Sequence, residues 1–280
     1  MNLSCCIWGL DFGKNGWMRF LRKRLNRVVS ERVMLEAMAE LGYRSIDIQP
    51  YMQRSSESVS TLKRLELDVA CVSLSFFAPE GSTLHTKDKA AAQSMMDHLK
   101  DGIDHAAHIG VDRAYVVPGE VDDDLSINDY GVYYSKLAEY AQSRGVMIGI
   151  EHFPRKAFPT IQSTLEFIKE INHPNLYLLF DLGHAQISKE DPVQWLPEAG
   201  DRLLYVHLDD NDGINDLHLP LTEGVQTRED LESLFKVLGE LNYQGPVSLE
   251  LHPLLPNPFQ GLSRNKQLVE ELLLSHSVSR

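Results

Sequence analysis

Leu176-Tyr177-Leu178-Leu179-Phe180-Asp181-Leu182-Gly183-His184 is an apolar run that ends in a carboxylate and adds an imidazole three residues on. Three other runs share this plan: Gly149-Ile150-Glu151, Tyr205-Val206-His207 and Ser248-Leu249-Glu250. Each is as long as a buried parallel strand, and each is followed by a loop and a helix-like segment. Strands of such units run the same way, so their end groups meet at one edge of a sheet. In α/β proteins that edge carries the chemistry.

Working outward, apolar β-rich runs occur near 3–10, 45–49, 69–77, 113–118, 146–153, 176–182, 203–208 and 246–251, giving eight candidate strands. Helical periodicity fills the intervals. From Asp88 to Ile109, Met95, Met96, Leu99, Ile103 and Ala106 recur at three- and four-residue steps, and Gly110 supplies a stop. Ser30 is placed to cap a helix carrying Val33, Ala37, Met38 and Leu41 that ends at Gly42. Thr227 is placed to cap another with Leu231, Leu234, Phe235, Leu238 and Leu241 on its buried side. Eight strand-helix pairs predict an α/β fold whose parallel sheet closes as a (β/α)8 TIM barrel, formed as a single domain over 1–280. An open doubly wound sheet is the alternative. Against it, no Gly-rich dinucleotide turn follows the first strand, and no phosphate loop of the Walker type is present.

Composition narrows the function. A chain of 280 residues with 43% hydrophobic content can bury a sizeable core. A net charge of −13 disfavours a polyanion, so nucleic acid is not an expected partner. The three cysteines, Cys5, Cys6 and Cys71, lie in apolar runs and cannot pair completely, as expected of reduced thiols in a cytoplasmic protein. No secretory pattern opens the chain, and no run approaches the roughly 20 apolar residues of a membrane helix, so no membrane partner is expected. Barrels of this size often pair, so a homo-oligomer is admitted, although no exposed apolar stripe marks an interface. Residues 11–29 mix Trp17, Met18, Phe20 and Leu21 with six basic side chains, reading either as a surface helix with a solvated basic side or as a lid.

The four strand-end groups make a donor set. Glu151, Asp181, His207 and Glu250 would converge on one side of the barrel mouth, and three carboxylates with one imidazole suit one divalent ion. Mn, Mg or Co match these hard and borderline donors, and Zn is also admitted. Each residue alone also reads as a loop hydrogen-bonder or a cap. Four in succession do not fit that reading, because carboxylates ending apolar runs are costly to desolvate unless a cation offsets the charge.

The strings Gly149-Ile150-Glu151, Phe180-Asp181-Leu182-Gly183-His184-Ala185, Val206-His207-Leu208-Asp209-Asp210-Asn211 and Ser248-Leu249-Glu250-Leu251 resemble the signature strands of the xylose-isomerase-like TIM barrels. That group includes sugar and sugar-phosphate isomerases, ketose 3-epimerases, inosose dehydratases and apurinic-site endonucleases. The strand order is similar over the whole chain, and the motifs are specific from about residue 146 onward. The resemblance implies that Glu151, Asp181, His207 and Glu250 are metal ligands, and that Glu151 and Glu250 also move a proton from opposite sides of the substrate carbon. The chemistry is coherent: a cation on adjacent carbonyl and hydroxyl oxygens acidifies the C–H between them, and a carboxylate within about 3 Å removes the proton. The implied function is a metal-dependent isomerase or epimerase of a small sugar, sugar phosphate or keto-polyol. Alternatives are an inosose-type dehydratase on the same site and a non-catalytic sugar-binding barrel.

Other residues carry two readings each. The resemblance implies that His184, three positions after Asp181, contacts a substrate oxygen or a metal; its other reading is a His that orders the loop after the sixth strand. Asp216 and His218 resemble an Asp-x-His element that the endonuclease branch uses for further zinc ions, or belong to an exposed polar loop. That branch also has histidines where this chain has Val117-Pro118-Gly119 and Ser75-Phe76-Phe77-Ala78-Pro79, so an endonuclease is disfavoured. Arg155, with Lys156, is close enough to Glu151 to reach a phosphate or carboxylate of the substrate, or is solvated. Trp8, with Phe12, Phe76, Phe77 and Phe153, offers apolar walls for a sugar ring or belongs to the core.

Overall fold

The computed structural model describes residues 1–10, 30–121, 125–253 and 255–277. The lid candidate at 11–29, with Phe12, lies outside the described residues. Eight parallel strands follow one another in order: β1 (Asn2–Cys5), β2 (Ser45–Ile48), β3 (Asp68–Ser73), β4 (Arg113–Val116), β5 (Met147–Glu151), β6 (Leu176–Asp181), β7 (Leu203–Leu208) and β8 (Pro246–Leu249). They pair as β1-β8-β7-β6-β5-β4-β3-β2. A parallel bridge between Cys6 and Asp47 joins the two ends, so the sheet is a nearly closed barrel, as the eight runs predicted.

Helices among the described residues fill the outside: α1 (Glu31–Glu40), α2 (Ser56–Arg64), α3 (Lys89–His108), α4 (Ile127–Ser143), α5 (Ile161–Ile171), α6 (Leu182–Ser188), α7 (Pro192–Ala199), α8 (Arg228–Glu240) and α9 (Pro258–Ser277). None is long and apolar enough to cross a membrane. The caps expected at Ser30 and Thr227 are in place: Ser30 accepts from the Val33 N–H, and Thr227 forms a reciprocal capping pair with Asp230. Asp88 caps α3 in the same way, accepting from the N–H groups of Ala90 and Ala91. Gly42 and Gly110 take φ of 81° and 79° just beyond α1 and α3, where a left-handed residue releases the chain from the helix.

Most strands stop short of their apolar runs, β1 and β3 by the most. After β1 the chain tightens into a 3-10 turn, Ile7–Leu10, whose four residues are all buried, so hydrophobicity there reports packing rather than pairing. After β3 the backbone turns, with Phe77 at φ 61°. After β5 the Phe153 N–H bonds the Phe158 carbonyl and closes a loop. Register aligns the donor groups: Asp181 stands beside His207 and His207 beside Ser248, while Glu151 pairs with Leu179.

Candidate metal centre

The ends of β5, β6, β7 and β8 bring Glu151, Asp181, His207 and Glu250 together, with one ligand atom from each lying within 4.8 Å of the other three. His207 Nδ1 faces all three carboxylates, at 2.8 Å from Glu250 Oε2, 3.6 Å from Glu151 Oε1 and 3.7 Å from Asp181 Oδ2. Asp181 Oδ2 is buried without a well-aligned hydrogen-bond partner, and the buried His207 Nδ1 meets carboxylate oxygens and no other group. Two buried polar atoms aimed at one gap amid three carboxylates is what a cation site requires, so the residues fit a divalent ion. The other Asp181 oxygen accepts from the His184 N–H at 2.7 Å and caps α6, which holds the carboxylate in orientation.

The two glutamates differ. Burial pushes the Glu151 carboxyl above its ordinary range. Burial acts on Glu250 in the same sense, but the His207 and His218 imidazoles outweigh it and hold that carboxyl below its ordinary range. Trp8 Nε1 also donates to Glu250 Oε1 at 2.8 Å, and the Trp8 ring lies 5.1 Å from that of Phe76. Trp8 is therefore at the site and touches a strand-end glutamate.

His184 is not in a loop: it is in the first turn of α6, buried, with Nδ1 3.0 Å from the His152 carbonyl and the Phe153 ring 4.2 Å away. Burial opposes its charge, but Asp181, Asp216 and Glu151 raise its pKa to about 10. Asp216 and His218 join it, His218 Nε2 lying 3.2 Å and His184 Nε2 3.6 Å from Asp216 Oδ1. Asp209 completes this second cluster, its Oδ2 lying 2.8 Å from His218 Nδ1, and burial with the neighbouring Asp181 pushes it up to about 7.

Arg155 stands apart. It is exposed at φ 66°, and its guanidinium reaches the Ile214 carbonyl at 3.4 Å. Lys156 is paired with Glu120 at 3.0 Å. It lines a cavity of about 540 Å³ beside the ends of β3 and β4, together with Ser75, Phe76, Thr83 and His85.

Sequence reasoning misses two groups near the donors. A run of Asp and Asn reads as solvated, yet Asp209, Asp210 and Asn211 are fully buried, and the Asp210 carboxylate accepts the N–H groups of Gly224, Val225 and Gln226 to shape the loop. Asp47 is the second, although an acid at the centre of Ile46-Asp47-Ile48 is a readable signal.

A family model described as xylose isomerase-like TIM barrel matches residues 35–272. An inosose dehydratase of Clostridium botulinum is 28% identical over 153 residues, 49% of this chain and 51% of that protein. An L-ribulose 3-epimerase of Methylomonas sp. is 32% identical over 118 residues, 41% and 38% of the two chains. The matches span about half the length of these curated relatives, or less. Among solved structures, a D-tagatose 3-epimerase-like protein superposes with a TM-score of 0.79 at 20% identity, covering 99% of this chain and 98% of that one, a likeness of fold.

Proposed function

The chain belongs to the xylose isomerase-like TIM barrel family, and from that premise we propose that it is a divalent-metal-dependent isomerase or epimerase of a small sugar or keto-polyol, working by proton transfer beside a carbonyl. The observation that carries this reading is the convergence of Glu151, Asp181, His207 and Glu250, with the His207 imidazole facing three buried carboxylates through one nitrogen. These four side chains would hold the ion, with Mn, Mg, Co or Zn all compatible with the donors. When bound, such an ion supplies a Lewis acid that acidifies the adjacent C–H.

The rest falls to the side chains. Glu151 and Glu250 stand at the ends of β5 and β8, separated by β6 and β7, so they address a substrate from different sides. Glu250, held anionic by its imidazole neighbours and the Trp8 N–H, suits proton removal. Glu151, pushed up by burial, suits proton return. His184, Asp216 and His218 offer donors and acceptors to substrate oxygens, while Trp8 and Phe76 wall the near side. Arg155, at the rim, would meet only a substrate extending outward.

A similarity to inosose dehydratases supports a second reading, in which the same proton abstraction is followed by loss of a β-hydroxyl. Both are tested by incubating the metal-loaded protein with ketoses, inososes and keto acids in deuterated water and following the label by NMR. Deuterium entering at the carbon beside the carbonyl, with unchanged mass otherwise, is expected of an isomerase or epimerase. A product lighter by one water selects the lyase, and no exchange with any of them overturns the proton-transfer reading.

A further inference from the structure

The loop that follows β5 carries two cations beside the candidate centre. Arg155 and Lys156 line a cavity of about 250 Å³ together with Phe153, Ile214, Glu120 and Asp216. Its lining reaches the second cluster: Asp216 Oδ1 is 3.6 Å from His184 Nε2, and His184 Nδ1 is 3.7 Å from Glu151 Oε1. One imidazole therefore separates the cavity from a glutamate of the donor set. A volume of this size is below the roughly 300–1,000 Å³ of a pocket that encloses a whole small ligand, so it suits one end of a molecule.

Two observations single out Arg155. The first is its backbone. The Lys156 N–H bonds the Phe153 carbonyl at 3.1 Å, closing a tight turn with Pro154 and Arg155 at its centre, and Arg155 takes φ 66°. A turn with proline second and a left-handed third residue prefers glycine or asparagine in that third place, because a Cβ is strained there. A long charged side chain stands where local chemistry asks for none. The second is its partners. Asp216 is engaged by His184 and His218, and Glu120 by Lys156 at 3.0 Å. Arg155 reaches only the Ile214 carbonyl, at 3.4 Å, and among the described residues no carboxylate is paired with it. Most of its N–H groups are thus unspent, in a planar fork that fits two oxygens of one anion.

We propose that Arg155 is a specificity-determining residue that binds an oxyanion, carboxylate or phosphate, at the end of the substrate remote from the reacting carbon. That its ligand is a substrate rests on the proton-transfer reading above, while the capture of an anion by this cavity does not. Phe153, which lines the cavity and whose ring lies 4.2 Å from that of His184, covers the carbon chain between the two ends. The Ala157 N–H on the Gly119 carbonyl, at 3.0 Å, ties the turn to the chain after β4, so the guanidinium is presented from a fixed loop.

The test compares ligands that differ only at that end. Isothermal titration calorimetry in the presence of Mn(II), with the D-ketohexoses, their 6-phosphates and their 6-carboxylates, should show one charged series bound about 10- to 100-fold more tightly than the neutral sugars, as hydrogen bonds between ionised groups give. Which series it is names the anion. Arg155→Gly, which suits the left-handed turn and so keeps the fold, should bring the charged ligand down to the affinity of its neutral counterpart. Arg155→Lys, which keeps the charge without the fork, should fall between that variant and wild type. Equal affinity of wild type for charged and neutral ligands overturns the proposal, as does a preference that survives in Arg155→Gly. Deuterium exchange with the same ligands keeps the two readings apart: a charged ketose that binds through Arg155 without exchanging its C–H overturns the proton-transfer reading and leaves the anion site standing.

Discussion

Glu151 and Glu250 are chemically alike and placed in unlike surroundings, which is how one pair of carboxylates can divide acid and base roles. Replacing either with Gln keeps its shape and removes its proton chemistry. Each variant should lose about 10²- to 10⁴-fold in kcat, with the thermal melt close to wild type. Near-normal turnover in either variant, measured with matched metal content, would remove it from the pair. These two residues, with Asp181 and His207, were legible because a charged group ending a buried apolar strand is costly to desolvate unless a cation or partner offsets it. Asp209 was not, since its burial depends on the Gly183 N–H, 3.0 Å from its Oδ1, and on a folded loop that no local pattern encodes.

Among the elements, α6 carries the most site geometry in the fewest residues. It starts directly from β6, is capped by Asp181 and sets His184 beside Asp216. Its second residue must be small: a Cβ on Gly183 would stand 2.4 Å from Asp209 Oδ1 and 2.6 Å from Oδ2. Gly183→Ala should therefore destabilise the protein by roughly 1–3 kcal/mol, as overpacking of a buried site does. Gly239→Ala on α8, where an added Cβ meets nothing within 4 Å, should be neutral or stabilising by about 0.5–1 kcal/mol. Urea midpoints for both compare them directly, and equal stabilities would show that Asp209 is not held against α6. Helix limits were readable at Ser30, Asp88, Gly110 and Thr227, because caps and stops are local chemistry. The early ends of β1, β3 and β5 were not, because apolar character marks burial and is silent on pairing.

For the whole molecule, burial of neutral imidazoles links stability to pH. His85, 4% exposed, accepts from the Gly119 N–H through Nδ1 and meets the Tyr134 hydroxyl through Nε2, and burial lowers its pKa from 6.5 to about 4. The unfolded chain therefore binds this proton first as pH falls. The stability His85 permits is complete above pH 6.5 and is lost progressively from there down to pH 4, a loss of about 2 kcal/mol by pH 5. Denaturant unfolding at pH 7.5 and 5 should show that slope in wild type and a flatter one in His85→Gln, and identical slopes would exclude His85 as its source. By itself the amino-acid sequence determined the barrel and which four strand-end groups meet at its mouth, since strand period, helix caps and a carboxylate or imidazole ending each of four apolar runs are all properties of short segments. Only the tertiary structure decided that Asp209 lies against α6 and His218, that Trp8 reaches Glu250 and that Asp47 stands 3.9 Å from His207 Nε2. Those relations join strands and loops far apart in the chain, and closing the barrel is what brings them within a few ångströms.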